Sequence, residues 1–458
     1  MPSAAEQLAA NMNFGAFAKA DELKRRIWFT LAALVVYRFG TFIPLPGVNS
    51  TAFTDIFNNN SAGILGMFNM FSGGAVERMA IFALNIMPYI SASIIIQLLS
   101  SVDKRLIELK KDGEHGRKKI NQYTRYLTVL LATFQAYGIA VSLELSQSQS
   151  GLVVPDPGWF FRLTTVITLV GGTMFLMWLG EQITARGVGN GISLIIFAGI
   201  VAALPNAMVQ LFETSRQGNL SAFALLILLI TMVFAVIVIV FVERAQRRLI
   251  VQYPKRQVGN RIFQGDSSHL PLKLNTAGVI PPIFASSLLL MPVTLASFTT
   301  GSKDGSIPEW ITYVTVALGS GQPLHMFFYV ILIVFFCFFY TSVVFNPQET
   351  ADNLRKYGGF LPGRRPGAQT ASYINYVLTR ITVLGAFYLA AVCLLPELLI
   401  LNFGIPSSFG AVLGGTSLLI AVSVTMDTVA QVQSHLMAHQ YEGLIKKAKL
   451  RGSSRGRK

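Results

Sequence analysis

The feature that most constrains this chain is a series of apolar blocks, each close to 20 residues long. A helix of about 20 apolar residues is long enough to span the hydrocarbon core of a bilayer. Apolar residues make up 52% of the chain and charged residues only 13%, whereas charged residues are about 25% of an average soluble domain. These values exclude a disordered chain and an ordinary soluble protein, so we expect a polytopic helical membrane protein.

The blocks are bounded by charges or by clusters of Pro and Gly, and they predict an all-α protein with ten transmembrane helices. Pro205 interrupts the fifth block, which is the least regular of the ten. The predicted helices cover residues 27–43, 75–99, 123–143, 159–179, 192–209, 220–242, 277–298, 323–345, 376–395 and 409–432.

The basic residues are distributed unevenly between the two sides of these helices. Of the 37 Lys and Arg residues, 31 fall in the N-terminal segment, four loops and the C-terminal tail, all on one side. Loops rich in Lys and Arg stay in the cytosol, so both termini are expected to be cytosolic. The first 26 residues are too polar for a cleavable signal peptide. The first apolar block, which begins at Ile27, is therefore expected to be retained.

Three loops on the basic side, 101–122, 243–275 and 346–375, are longer than helix connections need. Each combines Arg or Lys with Gly, Pro or aromatic residues. Long ordered loops often carry binding functions, so we expect a soluble partner to dock there. The same charges also suit binding to anionic lipids.

Two blocks contain residues that break helices: Pro88 in the second, and Gly278, Pro281 and Pro282 in the seventh. If the ten helices form two halves of five, both broken helices are the second of their half. Matched broken helices are typical of inverted repeats, in which the transport pathway lies between the repeats.

A nine-residue apolar segment, 63–71, lies between the first two blocks and is too short to cross a bilayer. It is either an interfacial helix or a re-entrant segment, which membrane proteins tolerate only where it is buried or lines a cavity. The residues alone leave both interpretations open.

Motifs for catalysis are absent from the sequence. There is no GxxxxGK[ST] nucleotide loop, and His435 and His439 lack the Glu that an HExxH zinc motif requires. The GNGIS sequence at 189–193 does not match a GxSxG nucleophile, and Cys337 and Cys393 each lie alone in an apolar block. The sequence therefore predicts no enzyme, no metal site and no cofactor.

Three classes of membrane protein compete for these features: a protein-conducting channel, a solute transporter with inverted repeats, and an intramembrane protease. Polar groups within the membrane are few, namely Arg38, Arg162, Arg380 and Asp427, with Glu77 and Arg78 at the outer end of the second block. A transporter should carry polar groups that coordinate its substrate at the midplane, and a protease needs catalytic side chains. The residues favour the channel.

Five longer segments point to one family: FNMFSGGAVERMAIFALNIMPYISASIIIQLL at 68–99, GTMFLMWLGEQITARGVGNGISLIIFAGIVA at 172–202, HLPLKLNTAGVIPPIFASS at 269–287, FNPQETADNL at 345–354 and GGTSLLIAVSVTMD at 414–427. They resemble the bacterial SecY family, the channel subunit of the Sec translocon, over residues from about 22 to 451. The resemblance implies a channel in the plasma (inner) membrane, built from two pseudo-symmetric clamshell halves. Such a channel passes unfolded secretory polypeptides across the membrane and releases signal sequences and transmembrane segments sideways into lipid.

The resemblance also implies domains: a cytosolic segment 1–26, an N-terminal half 27–210, a C-terminal half 220–435 and a basic tail 436–458. The segment at about 61–74 then resembles the plug, a short helix that closes the channel. Its residues are Leu65, Met67, Phe68 and Phe71, with Gly73 and Gly74 as the hinge because Gly accepts changes of φ and ψ at little steric cost.

By the same resemblance, the narrowest part of the pore is a ring of six isoleucines, because stiff apolar side chains form a gasket that excludes water and ions. Asn85 replaces the small residue common beside the first ring position. The ring residues are Ile86, Ile90, Ile192, Ile196, Ile283 and Ile420.

The remaining implied sites are the lateral gate, with polar groups on Ser91, Gln97 and Asn275, and the basic docking surfaces. The implied partners are SecE, SecG, the SecA motor ATPase, the ribosome, preproteins with signal sequences and membrane lipids, with no small-molecule substrate. The docking residues are Arg247, Arg248, Lys255, Arg256, Arg364 and Arg365.

Overall fold

The computed structural model describes residues 21–60, 69, 72–145, 147–148, 151–218, 221–254, 256–258, 261–263, 267–299, 317, 322–403 and 414–455. The helices are α1 (Asp21–Gly40), α2 (Ser50–Asn60), α3 (Met87–Val102), α4 (Lys104–Lys111), α5 (Glu114–Leu145), α6 (Trp159–Arg186), α7 (Gly191–Arg216), α8 (Ala222–Arg244), α9 (Ile280–Thr299), α10 (Pro323–Val344), α11 (Pro347–Lys356), α12 (Ala368–Phe403) and α13 (Gly415–Arg455). The strands are β1 (Gln147–Ser148), β2 (Gly151–Leu152), β3 (Gln246–Gln252), β4 (Arg256–Val258), β5 (Arg261–Phe263) and β6 (Ser267–Lys273).

Seven of the described helices, α5 to α8, α10, α12 and α13, are long and apolar enough to cross a membrane. Helix α3 and the part of α9 over Ile280–Leu289 are apolar but shorter. With α1, these helices follow the ten predicted blocks in order, and the all-α membrane fold is confirmed. Several helices extend beyond their blocks, because hydropathy detects only the part of a helix that matches the hydrocarbon core. Helix α13, for example, continues to Arg455.

The second predicted helix, 75–99, is wrong in its first half. Residues 72–86 form successive turns, and the helix begins only at Met87, with Pro88 in its first turn. The backbone has positive φ at Met79 (45°) and Asn85 (48°), which a right-handed helix excludes.

The loop after α1 supplies two of the backbone hydrogen bonds of this segment of turns. The Leu45 N–H donates to the Met79 carbonyl (2.9 Å), and the Ile81 N–H donates to the Ile43 carbonyl (3.0 Å). Buried backbone groups need partners, so these bonds let a non-helical segment lie inside the protein.

The predicted seventh and fifth helices, which correspond to α9 and α7, are interrupted less than the second. Helix α9 starts at Ile280, three residues later than predicted, because Gly278 adopts a φ of +65°. Helix α7 continues through Pro205 to Arg216, so the proline does not end it.

Close packing of the helices depends on glycine at their crossings. Helix α7 packs against α6 and α13, and α3 packs between α5 and α9. A Cβ atom on Gly191 would lie 2.0 Å from the carbonyl oxygen of Gly180, on the neighbouring helix. Small residues at such contacts let helix backbones approach closely in membranes.

Strands β3 and β6 form an antiparallel hairpin that leaves α8 and leads into α9, with Gln246 opposite Lys273 and Gln252 opposite Ser267. Gln252 also pairs with Phe360 in the segment after α11, through two backbone bonds of 2.9 Å. A small core fixes this unit, formed by Leu249, Val251, Leu272, Leu361, Ile374 and Ile381. The two longest basic loops of the sequence therefore fold as one unit, and we call this side of the molecule the hairpin end.

Candidate pore constriction and gate

Five of the six predicted ring isoleucines line one small cavity. They come from four separate parts of the chain: the start of α3, α7, α9 and α13. The cavity has a volume of about 10 Å³, the lower limit for holding one water molecule. Its lining consists of Ile86, Ile90, Ile196, Ile283 and Ile420 with Asn85, Met87 and Ser286.

The sixth predicted ring residue, Ile192, lies apart from this lining. It is one helical turn before Ile196 on α7 and packs, partly buried, against the same central core. Its Cγ1 atom would be 3.1 Å from a Cβ added to Gly180. Ile192 therefore faces the crossing of α6 and α7.

The backbone conformation of residue 85 explains why an asparagine stands there in place of the small residue common beside the first ring position. Asn85 is 4% exposed, has a φ of 48°, and donates its N–H to the Phe82 carbonyl at 2.9 Å. Among residues other than Gly, Asn adopts this left-handed conformation most readily. Asn85 is therefore the joint between the turns at 72–86 and α3, a role that the sequence reasoning missed.

The two predicted hinge glycines both adopt left-handed φ angles, 65° at Gly73 and 87° at Gly74. The C-terminal end of α1 holds this segment, since the Tyr37 hydroxyl donates to the Ser72 carbonyl (3.2 Å) and Arg38 Nη1 donates to the Gly73 carbonyl (2.5 Å). The predicted plug residues Leu65, Met67, Phe68 and Phe71 lie outside the described residues.

The face of α3 towards α9 and α10 is apolar. Ile90, Ile94 and Leu98, spaced four residues apart, share one cluster with Phe284 of α9 and Tyr329 of α10. Contacts of this kind separate without breaking strong polar interactions, so the seam suits a gate.

Two of the three predicted gate residues make hydrogen bonds within their own half. Gln97 Nε2 donates to Ser93 Oγ, one turn earlier on α3 (3.4 Å). Asn275 is 4% exposed, and its Nδ2 donates to Glu243 Oε1 at the end of α8 (2.7 Å). Ser91 lies partly buried on α3.

Most of the predicted docking residues lie in the unit at the hairpin end. Arg247 and Arg248 are exposed on β3, and Arg365 is exposed after α11. The Arg364 guanidinium lies over the Tyr373 ring, 5.1 Å from its centroid. Arg256 belongs to β4, and Lys255 lies outside the described residues.

Within the described ranges, no group of three or more His, Cys, Asp or Glu side chains is arranged to hold a metal ion. Cys337 and Cys393 are buried thiols that form no disulfide. Neither has the exposure that a reactive cysteine needs.

Comparison with known proteins gives consistent matches over nearly the whole chain. The family model described as SecY matches residues 80–429. The protein translocase subunit SecY of Rickettsia felis is 56% identical over 431 residues, covering 94% of this chain and 98% of that protein. The Escherichia coli K12 protein of the same name is 55% identical over 435 residues, covering 95% and 96%.

The fold matches solved structures whose sequences are much less similar. A structure described as a protein conducting channel has a TM-score of 0.62 at 16% identity, covering 90% of this chain and 92% of that one. Another, described as Sec61 in the canine ribosome-channel complex from the endoplasmic reticulum, gives the same TM-score, identity and coverage. At this identity the likeness establishes the fold alone.

Proposed function

This chain belongs to the SecY family of protein translocase subunits, and we propose how its residues conduct a polypeptide. The protein is a multi-pass membrane protein and the central subunit of a protein-conducting channel. One observation carries the proposal for the pore: isoleucines from four separate parts of the chain, including both proposed halves (27–210 and 220–435), line a cavity of only about 10 Å³.

The ring, in this proposal, is a seal that opens only around a passing chain. β-Branched side chains are stiff, and a narrow apolar constriction loses its water when empty, which opposes the passage of ions. Isoleucine offers no hydrogen bond that would hold a peptide in place. Ile192 contributes through its packing on α6.

The segment at about 61–74 acts as the plug, with Gly73 and Gly74 as its hinge. The support for this role is the left-handed backbone of both glycines, together with the two hydrogen bonds from α1 that hold the hinge. Displacement of the plug would break these bonds and leave the glycines able to change conformation at little cost.

Lateral release occurs where α3 and α5 meet α9 and α10, the seam that contains Ser91, Gln97 and Asn275. Each Leu, Ile, Phe or Val gains about 0.3–0.6 kcal/mol on entering the membrane. Ten such residues in a signal sequence therefore gain on the order of 3–6 kcal/mol by leaving the pore. A polar segment gains nothing and continues across.

The hairpin end faces the cytosol and binds the SecA motor or the ribosome through Arg247, Arg248, Arg256, Arg364 and Arg365, with Lys255. The exposed Arg side chains support this, because a guanidinium forms paired hydrogen bonds to carboxylates and phosphates. A solved structure of the same fold is described in a ribosome-channel complex.

We also propose the partner subunits and the orientation of the channel in the membrane. SecE and SecG complete the channel in the bacterial inner membrane, both termini are cytosolic, and the basic loops also contact anionic lipid. The tail 436–458 belongs to the cytosolic surface.

Crosslinking tests the position of the pore. Ile86→Cys is introduced where Cys337 and Cys393 are replaced by Ser, and a secretory chain with a single cysteine is stalled in the channel. We expect a disulfide whose position along the stalled chain shifts with the length of that chain. Ile167→Cys is the control, because Ile167 is 63% exposed on the outer face of α6 and should form no crosslink. A viable Ile86→Cys variant that never crosslinks would place the pore elsewhere.

A further inference from the structure

The base of the β3–β6 hairpin contains a buried polar joint that connects three elements. Asn275 Nδ2 donates to Glu243 Oε1 on the last turn of α8 (2.7 Å) and to the Gly278 carbonyl (3.1 Å). Its Oδ1 accepts the Gly278 N–H (3.1 Å). One side chain therefore fixes the exit of α8 and the approach to α9.

The hairpin above this joint is stiff. Its seven-residue register is extended by a bond from the Leu274 N–H to the Ala245 carbonyl (2.9 Å). Leu249, Val251 and Leu272 of the hairpin are buried against the segments around residues 361, 374 and 381. A load applied to the exposed strands is thus transmitted to the base as a movement of the whole unit.

The chain has open space beside it at the turn that follows the joint. Gly278 has a φ of +65°, and a Cβ added there would meet nothing within 4 Å. Its turn needs glycine for backbone conformation and has open space around it. Two residues later α9 begins, and it carries Ile283 into the pore lining.

The strength of the joint comes from its electrostatics. A hydrogen bond to a carboxylate is shorter and stronger than one between neutral groups, and 2.7 Å is within that short range. The turn at Gly278 is held to α8 by a bond that tolerates force. The apolar seam between α3 and α9 has no such bond among its described residues and separates more easily.

We infer that Asn275 and Glu243 are positioning residues that transmit movement of the docked hairpin to α9 and so open the seam between α9 and α3. This inference rests on the proposed function, since it requires the hairpin to dock a motor and α9 to border the gate. In this inference Asn275 has a second role besides its predicted place at the gate: it couples the turn before α9 to Glu243 at the end of α8.

A charge-exchange series tests the joint. In Asn275→Asp, a second carboxylate faces Glu243, and the donor to both Glu243 and the Gly278 carbonyl is lost. In Glu243→Gln, the amide oxygen can still accept from Asn275. In the double variant Asn275→Asp with Glu243→Gln, the glutamine amide donates to the new carboxylate. Thr276→Val is the matched control, because Thr276 Oγ1 donates only to the Lys273 carbonyl next to the joint (2.9 Å).

Two properties are measured in vesicles that contain the complete channel: SecA binding, and precursor translocation. We expect Asn275→Asp to bind SecA normally but to translocate about tenfold more slowly, as loss of one partner of a charge-assisted hydrogen bond implies. Glu243→Gln should lose a smaller part of the rate, because its amide oxygen accepts a weaker hydrogen bond than a carboxylate does. The double variant should recover part of the rate lost in Asn275→Asp, and Thr276→Val should stay close to wild type.

Movement is measured directly with spin labels at Val102→Cys on α3 and Leu288→Cys on α9, both exposed positions, in the background without Cys337 and Cys393. SecA should lengthen the distance between the labels in wild type and in the double variant, but not in Asn275→Asp.

The possible outcomes distinguish a failure of this inference from a failure of the proposed function. Normal translocation by Asn275→Asp, loss of SecA binding in that variant, or no recovery in the double variant would each overturn the joint as a transmitting element. A wild-type channel that conducts precursor without any change in label distance would overturn it too. A wild-type channel that conducts no precursor would instead overturn the proposed function.

Discussion

Asn85 occupies a backbone conformation that most side chains avoid, and this conformation determines where the first ring isoleucine lies. Its φ of 48° directs the chain from the turns into α3 immediately before Ile86. The sequence alone identifies Asn85 only as an unusual polar neighbour of the ring. A left-handed residue cannot be identified from hydropathy, because the apolar content on either side of it is the same in a turn and in a helix.

The effect of substituting Asn85 on stability should depend on whether the new residue tolerates a positive φ, and not on its polarity. Asn85→Gly should be neutral or nearly so, because Gly adopts positive φ readily. Asn85→Val should lower the free energy of unfolding by about 1–2 kcal/mol, the cost of a left-handed conformation for a residue with a Cβ atom, and more if the β-branched side chain clashes. Thermal unfolding of both variants in detergent measures this difference, and equal destabilisation by Gly and Val would contradict it.

Arg365 is the residue whose charge we expect to matter most at the hairpin end. Arg365→Glu should leave membrane insertion and folding intact, because the side chain is exposed, yet abolish translocation by repelling the docked partner. Export of a secretory protein in cells that contain only this variant measures the effect. Arg216→Glu, an equal change of charge at the exposed end of α7 and outside the three basic loops, is the control. Normal export with Arg365→Glu would remove this surface from the docking site.

At the scale of elements, the sequence located the broken helices but not their form. Pro88 and Gly278 correctly marked the second and seventh blocks as irregular. The extent of the turns at 72–86 could not be predicted, because their hydrogen-bond partners, such as the Ile43 carbonyl, lie far earlier in the chain. The partner of Asn275 was missed for the same reason, since Glu243 is on another element.

The crossing of α6 with this turn segment offers a matched pair of glycines. A Cβ on Gly172 would lie 2.2 Å from the Ile81 carbonyl oxygen, whereas a Cβ on Gly171 would meet nothing within 4 Å. Gly172→Ala should therefore lower the free energy of unfolding by about 1–3 kcal/mol, as overpacking does. Gly171→Ala should be neutral or slightly stabilising. Thermal unfolding of the two variants measures the difference, and similar melting temperatures would show that the backbones can separate there.

For the molecule as a whole, the uneven distribution of basic residues predicts the orientation in the membrane. Lys356→Cys, at the hairpin end, should react with an impermeant thiol reagent only from the cytosolic side. Asp156→Cys, in the loop before α6, should react only from outside the cell. Both positions are exposed, and both variants are made without Cys337 and Cys393. Labelling of intact cells compared with inverted vesicles measures this, and the reverse pattern would invert the proposed topology.

The helix order and fold of the whole molecule could be predicted because length and hydropathy decide which blocks cross a bilayer. The ring could be located only through the resemblance, since buried isoleucine is ordinary in any helix packing. The structure adds that Ile86, Ile90, Ile196, Ile283 and Ile420 meet, while Ile192 lies beside Gly180.

The turns at 72–86 also have a consequence for how this protein is made. Two of their backbone groups, the Met79 carbonyl and the Ile81 N–H, are satisfied by the loop at 43–45, whereas an ordinary membrane helix satisfies its backbone groups internally. The second block cannot therefore enter lipid as an independent unit after it leaves the ribosome. It must remain sheltered until α1 and its following loop are in place, so the biogenesis of this channel depends on the order in which its first two hydrophobic segments assemble.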